Sequence, residues 1–281
     1  MIEQYLSFAS NIAAHVGARI AKEMEEISKV HVSQKSPRDL VTEIDVWSEK
    51  TIVDAINSKW PSHIVVGEET HKALTAQKSL TLEELSMGEN VWIVDPLDGT
   101  TNFVNAIPQV SVSIGLLQNG RRTMGVVYDV ARKELFSAAL GKGAFLNEKK
   151  ICVSSKQRLE DSVIATGFPS DRTQRWERYR PAYETFIVQA RAIRRFGSAA
   201  LDQCWVACGR FDGFFEYSLK PWDLAAGSLI VEEAGGIVSN FSPSATASEF
   251  SIFGDSFLAA GAQLYPRMIR ESQAAYRFAQ V

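Results

Sequence analysis

Residues Val91 to Val104 read VWIVDPLDGTTNFV, and the fold turns on how that stretch changes character halfway along. Val91, Trp92, Ile93 and Val94 are four consecutive strand formers, too few for an isolated helix and suited to a buried strand. Asp95 stands where that strand is expected to end. Pro96 cannot donate to a sheet ladder and Asp98-Gly99 supplies turn chemistry, so two carboxylates share one tight corner. Acids held that close repel unless something positive lies between them, and a hard divalent cation bound through oxygen is the common solution. Magnesium is the expected ion. Gly99, Thr100, Thr101 and Asn102 add backbone N–H groups and hydroxyls, and Asp98 can cap a short helix whose first turn attracts an anion. An Asp-capped turn explains Asp98-Gly99 by itself; the full run of acids, proline, glycine and threonines points to a cation and a phosphate meeting at one place.

Working outward, 281 residues of which 46% are apolar can fill one large domain or two closely packed ones. A net charge of −3 gives no global pull toward nucleic acid or an anionic membrane, so direct nucleic-acid binding is not expected. Cys152, Cys204 and Cys208 form no CxxC pair and the first residues lack an apolar leader core, which places the chain in a reducing cytoplasm. No run approaches the length of a membrane span.

Before the central stretch, apolar residues from Ile2 to Ile27 recur every three or four positions and predict a long amphipathic helix. Lys35 to Asp39 reads as a polar, proline-broken link, Leu40-Val41-Thr42 as a short strand, and Val46 to Trp60 as a second helix with Asp45 at its start. Ile64 to Val66 is a further strand, closed by Gly67 and then Glu68-Glu69, which repeats the pattern of acids at a strand's mouth. The polar stretch from Thr70 to Asn90 is expected to be an exposed, mobile loop over the site. Beyond it, strands at Val110 to Leu117 and Thr123 to Val130 flank an Asn119-Gly120 hairpin turn and begin an antiparallel meander that runs past 146.

A soft boundary near 150 divides an N-terminal α+β half, 1–150, from a C-terminal α/β half, 151–281. The second half offers a strand at Val163 to Thr166, a helix at Trp176 to Arg191, and a helix from Ser198 to Gly209. Arg191, Arg194 and Arg195 read as a solvated face or dimer contact, or else as a phosphate clamp. Glu216 is an acid set among aromatics in the strand from Phe211 to Tyr217, Asp223 opens a helix over Leu224 to Ala234, and a last helix spans Tyr265 to Phe278.

Taken together, GEE at 67–69, WIVDPLDGTTNFV at 92–104 and PWDLAAG at 221–227 resemble the three signature blocks of the inositol monophosphatase family. VTEID at 41–45, GSAALD at 197–202 and EAGG at 233–236 extend the resemblance over most of the chain. It implies a layered αβαβα sandwich, an α+β fold of the inositol monophosphatase and fructose-1,6-bisphosphatase type. It also implies a magnesium-dependent phosphatase with two or three ions per active site. By that resemblance Glu68, Asp95 and the carbonyl of Leu97 hold one magnesium, and Asp95, Asp98 and Asp223 a second. Thr100 with Asp45 would position or deprotonate the attacking water. The amides of Gly99 and Thr100 would grip the phosphate. Gly197, Ser198, Ala199 and Glu216 would form the pocket for a phosphorylated polyol, myo-inositol 1-phosphate first among them. Lithium inhibition and a homodimer are family expectations.

Relatives with the same fold dephosphorylate fructose 1,6-bisphosphate, adenosine 3′,5′-bisphosphate or histidinol phosphate, so the pocket rather than the metal motifs decides the substrate. A non-enzymatic role is also implied, since bacterial members of the family associate with the transcription machinery.

Overall fold

In the computed structural model, residues 1–27, 30–36, 39–168, 172–240 and 250–278 are described. Helix α1 (Ile2–Glu25) buries Tyr5, Ala9, Ala13, Val16 and Ile20 along one face, as their spacing demands. Strands β1 (Val32–Ser36) and β2 (Asp39–Thr42) pair antiparallel, so most of the expected link at 35–39 belongs to a hairpin. Pro37 and Arg38 of that expectation lie outside the described residues. Thr42 then caps α2 (Glu43–Lys59): its hydroxyl accepts the amides of Ile44 and Asp45, and the Asp45 side chain accepts the Thr42 amide.

After β3 (Ile64–Gly67) the structure departs from the sequence expectation. Thr70 to Asn90 is not a structureless loop; it carries α3 (His71–Lys78) and α4 (Leu82–Ser86). The physical reason is a reciprocal cap, in which the Glu84 amide donates to Thr81 Oγ1 and the Glu84 carboxylate accepts the Thr81 amide.

Next come β4 (Val91–Asp98), α5 (Thr100–Val104), β5 (Ser111–Gln118), β6 (Arg121–Asp129), β7 (Glu134–Ala139), β8 (Gly143–Leu146) and β9 (Lys149–Lys150). With β3 at one edge these form a seven-stranded sheet in sequence order, parallel between β3 and β4 and antiparallel elsewhere. Asn119 and Gly120, both at positive φ, make the turn between β5 and β6. The remaining elements are β10 (Val163–Thr166), α6 (Arg172–Gln189), β11 (Ala192–Arg194), α7 (Ala199–Ala207), β12 (Gly213–Tyr217), α8 (Pro221–Glu233), β13 (Gly236–Ser239), β14 (Ser256–Gly261) and α9 (Tyr265–Phe278). Their five strands form a second sheet, ordered β11-β10-β12-β14-β13.

Three apolar layers hold five structural layers together. Alternate residues of β4 serve different cores: Trp92 and Val94 face α1 and α2, while Val91 and Ile93 face α7 and α8. A strand buried on both faces must be apolar throughout, which is why this one reads as an unbroken run. On the far side of the second sheet, Tyr179, Tyr183 and Phe186 of α6 and Met268 of α9 pack on Ile164, Phe215 and Leu258. The order is therefore α1/α2, first sheet, α7/α8, second sheet, α6/α9: the expected αβαβα sandwich.

The middle layer comes unusually close to the first sheet at one place. Gly115 and Gly125 are directly paired across β5 and β6, and α8 crosses over them with Ala225 and Ala226. A Cβ at Gly125 would lie 2.5 Å from the carbonyl oxygen of Ala226 and 2.9 Å from its Cα. Both are backbone atoms and cannot swing aside. Replacing Gly125 with Ala is expected to lower stability by about 1–3 kcal/mol in urea denaturation, the usual cost of overpacking. An unchanged midpoint would mean that α8 does not rest on this glycine pair.

Candidate functional site

The sequence stops β4 at Asp95, yet the strand continues to Asp98, and the irregularity in between builds the site. Asp95 faces Ser113 on β5 and Asp98 faces Ser111, so three steps along β4 match two along its neighbour. That is a β-bulge. Without it, residues three apart would point to opposite faces of the sheet; with one residue extra, Asp95 and Asp98 share a face. Pro96, lacking an N–H, sits inside the irregularity, and the Leu97 amide bonds Asp95 Oδ1 at 3.1 Å.

The shared face is the one toward α7 and α8. Asp98 Oδ2 accepts the Ser198 hydroxyl at 2.6 Å, the Ala200 amide at 2.8 Å and the Ser111 hydroxyl at 3.3 Å. Asp223, at the start of α8, accepts the Lys220 amide at 2.6 Å. Ligand oxygens of Asp95, Asp98 and Asp223 all lie within 4.8 Å of one another. Glu68, at the end of the neighbouring parallel strand β3, lines the same cavity, whose volume is about 750 Å3. Leu97, Gly99, Thr100 and Gly197 are also in its wall. Gly99 has φ +98°, and a Cβ there would meet the Gln109 carbonyl at 2.8 Å, so the turn requires glycine.

Asp45 stands one residue deeper. It is buried, its Oδ1 accepts the Thr100 hydroxyl at 3.0 Å, and its Oδ2 accepts the Thr42 amide and hydroxyl at 2.9 and 2.5 Å. The Asp45–Thr100 pair therefore exists across 55 residues of sequence. Asn102 braces the same corner, donating to the carbonyls of Gln109 at 2.8 Å and Phe196 at 2.7 Å.

Three residues expected in the substrate pocket are not in the wall of this cavity. Ser198 and Ala199 do not line the cavity; Ser198 is fully buried and spends its hydroxyl on Asp98, so it supports an acid. Glu216 is also behind the wall, its carboxyl group against Gly167, where a Cβ would approach it to 2.1 Å. The reverse holds for residues given no role by the sequence. His71 lines the cavity, with Nδ1 2.6 Å from the Glu68 carbonyl and its ring 4.7 Å from that of Trp222. Lys220 lines it too; of the arginine cluster read as a solvated face, dimer contact or phosphate clamp, Arg195 reaches the cavity, whereas Arg191 pairs with Asp161 at the surface. A cluster of arginines in sequence could not reveal which member turns inward; only β11 and the bend at Gly197 decide that.

Burial dominates the electrostatics. It holds the Asp95 carboxyl well above the ordinary carboxylate range, and Glu68, Asp98 and Asp223 push it the same way. Asp98 is raised by burial against the pull of its Ser198 and Ala200 donors. Burial and then Asp98 push Asp223 up to about 7, and burial and then Asp223 push Glu216 up to about 8. Lys220 and Arg195 oppose these last two shifts without cancelling them. The chain's own cations thus leave the cluster short of positive charge. Convergent carboxylates and a nearby backbone carbonyl are hard oxygen donors, the set that suits magnesium.

A sequence profile of the inositol monophosphatase family matches residues 1–276. The chain is 40% identical over 268 residues to the Nus factor SuhB of Pasteurella multocida, covering 95% of this chain and 93% of that one. Among solved structures it is similar to the extragenic suppressor protein suhB of Bartonella henselae, with TM-score 0.84 and 33% identity over 96% of this chain and 98% of the other. It is also similar to a staphylococcal IMPase-II crystallised with inositol monophosphate bound, with TM-score 0.80 and 27% identity over 99% and 98% of the two chains. Bulge, acids and middle-layer helices thus sit in a chain that belongs to the inositol monophosphatase family.

Proposed function

We propose that this chain is a magnesium-dependent phosphate monoester hydrolase acting on a phosphorylated polyol, most directly myo-inositol 1-phosphate. The observation that carries the reading is the convergence of Asp95, Asp98 and Asp223 at a cavity shared with Glu68 and Thr100. Glu68, Asp95, Asp98, Asp223 and the Leu97 carbonyl are the groups we assign to the metals. Bound there, magnesium supplies charge neutralisation for phosphoryl oxygens and lowers the pKa of a coordinated water.

The chain's own part is positioning. Asp45 has its Oδ2 occupied by Thr42 and accepts the Thr100 hydroxyl on Oδ1, with the Leu97 carbonyl 3.2 Å away as a second acceptor, so Thr100 is placed to pass its own proton to Asp45 as it takes one from water. We assign the amides of Gly99 and Thr100, at the first turn of α5, to the phosphate oxygens. The cavity is large enough for a phosphorylated ring. Its wall also carries Arg195 and Lys220, cations that suit a phosphorylated substrate. We assign Glu216, Ser198 and Ala199 to shaping the polyol pocket from behind its wall. We read the ligands as divided between halves 1–150 and 151–281. The family resemblance supports lithium inhibition and a homodimer, and the three free cysteines support a cytoplasmic location. No described helix is long and apolar enough to cross a membrane.

A second reading, a protein that binds the transcription machinery, is favoured by the Nus factor SuhB name borne by relatives about 40% identical.

Phosphate release measured with magnesium should be fastest on myo-inositol 1-phosphate among the four substrate classes named above; clearly faster turnover of another class would reassign the substrate. Thr100→Ala should lower kcat by about 10²–10⁴-fold, the span typical of lost proton-transfer assistance. Asp95→Asn should reduce activity to background, and a cellular phenotype that survives this change would support the binding role.

The raised carboxyl groups also fix a pH dependence. Asp223 and Glu216 hold their protons more tightly folded than unfolded, so the metal-free protein is favoured at low pH and loses that advantage as pH climbs from the ordinary carboxylate range through about 7 and about 8. Magnesium binding needs the ligands deprotonated. Thermal unfolding in EDTA should therefore show a midpoint falling with pH over this window, and the midpoint gain on adding magnesium should be larger at about pH 8 than at about pH 5.5. Equal gains at both would contradict the assignment.

A further inference from the structure

Helix α2 carries a second buried acid one turn beyond Asp45. Glu49 is 1% exposed and does not line the cavity. Its Oε2 accepts the amide N–H of Glu69 at 2.7 Å. The same carboxyl group lies against Gly67, where a Cβ would fall 2.2–2.4 Å from three of its atoms. Oε1 is buried with no hydrogen-bond partner among the described residues. Leaving a carboxyl oxygen so placed is unfavourable, and an apolar side chain would fill the space without that penalty. The group's one visible use is the bond to the backbone beside Glu68.

Residues four apart share a helix face, so α2 reaches the site twice: through Asp45 to Thr100, and through Glu49 to the segment at 67–69. On the other side of that segment, the Glu68 amide donates to the Val94 carbonyl of β4 at 3.2 Å. The peptide before Glu68 is therefore fixed by the sheet, and the peptide after it is held at its N–H by α2, with its carbonyl against the His71 ring.

We propose that Glu49 is a positioning residue for the metal site. It fixes the peptide that follows Glu68 and so aims that side chain into the cavity. Gly67 is glycine because the Glu49 carboxyl group occupies the place of a side chain. The inference rests on the metal-dependent reading given above.

The test is manganese binding to the full chain, followed by electron paramagnetic resonance, with amide hydrogen exchange at Glu69 in the absence of metal. Glu49→Leu should raise the Kd for manganese about 10- to 100-fold, as loss of groups that orient metal ligands usually does, and should speed exchange at Glu69. Glu49→Gln keeps an acceptor oxygen and should bind nearly as the parent does. Gly67→Ala, which displaces the carboxyl group without removing it, should weaken binding likewise. Combining Gly67→Ala with Glu49→Leu should cost little more than either alone, because both act through one contact. If the parent binds manganese and Glu49→Leu or Gly67→Ala, folded by circular dichroism, binds it equally well, the inference is wrong. Loss of binding in Glu49→Gln as severe as in Glu49→Leu would overturn it too. A parent that binds no manganese would remove the metal site itself, and this role with it.

Discussion

One extra residue in β4 sets the terms for the rest of the molecule. The bulge between Asp95 and Asp98 turns two carboxyl groups of an otherwise apolar strand onto one face of the sheet. Burial raises the carboxyls of Asp95, Asp98 and Asp223, and neighbouring acids push Asp95 and Asp223 further the same way. A fold keeps such an arrangement when a cation relieves it. The site is thus unfavourable by itself, and on the metal-dependent reading proposed above a cation completes it, which makes metal affinity and stability two aspects of the same electrostatic problem.

The layers explain how acids so far apart in sequence come together. Asp95 and Asp98 ride on a strand buried between two cores, Glu68 sits in the turn just past its parallel neighbour, and Asp223 rides on a helix that is apolar almost all round and lies between the sheets. Gly115 and Gly125 let that helix settle against the first sheet closely enough for its first turn to reach the end of β4. Ser198 and Ala200, at the start of the other middle helix, hold Asp98 from behind. A strand and a helix carry Asp95, Asp98 and Asp223, while Glu68 sits in a turn held between the sheet and α2.

Much of this was legible in the sequence because it depends on local chemistry. The apolar run before Asp95, the Asn119-Gly120 turn, the Ser198 cap and the amphipathic first helix each follow from side chains within a few residues. The bulge was not legible, because Pro96 reads equally as the end of a strand and as an irregularity within one; the partner strand decides. The helices between Thr70 and Asn90 were lost to overall polarity, although Thr81 and Glu84 already had capping spacing. Ser198, Ala199 and Glu216 lie behind the wall because depth is a tertiary property that spacing alone does not contain. Glu49 carried a signal, four residues after Asp45 on one helix face, but its target at 67–69 becomes visible only in three dimensions.

The central claim is that the acids brought together by the bulge bind metal. Its most direct test is an anomalous difference map from crystals of this chain soaked in manganese. The account predicts strong peaks enclosed by Asp95, Asp98 and Asp223, with Glu68 at their edge. Peaks only at other positions, or none in that cavity while the crystal takes up manganese elsewhere, would contradict it.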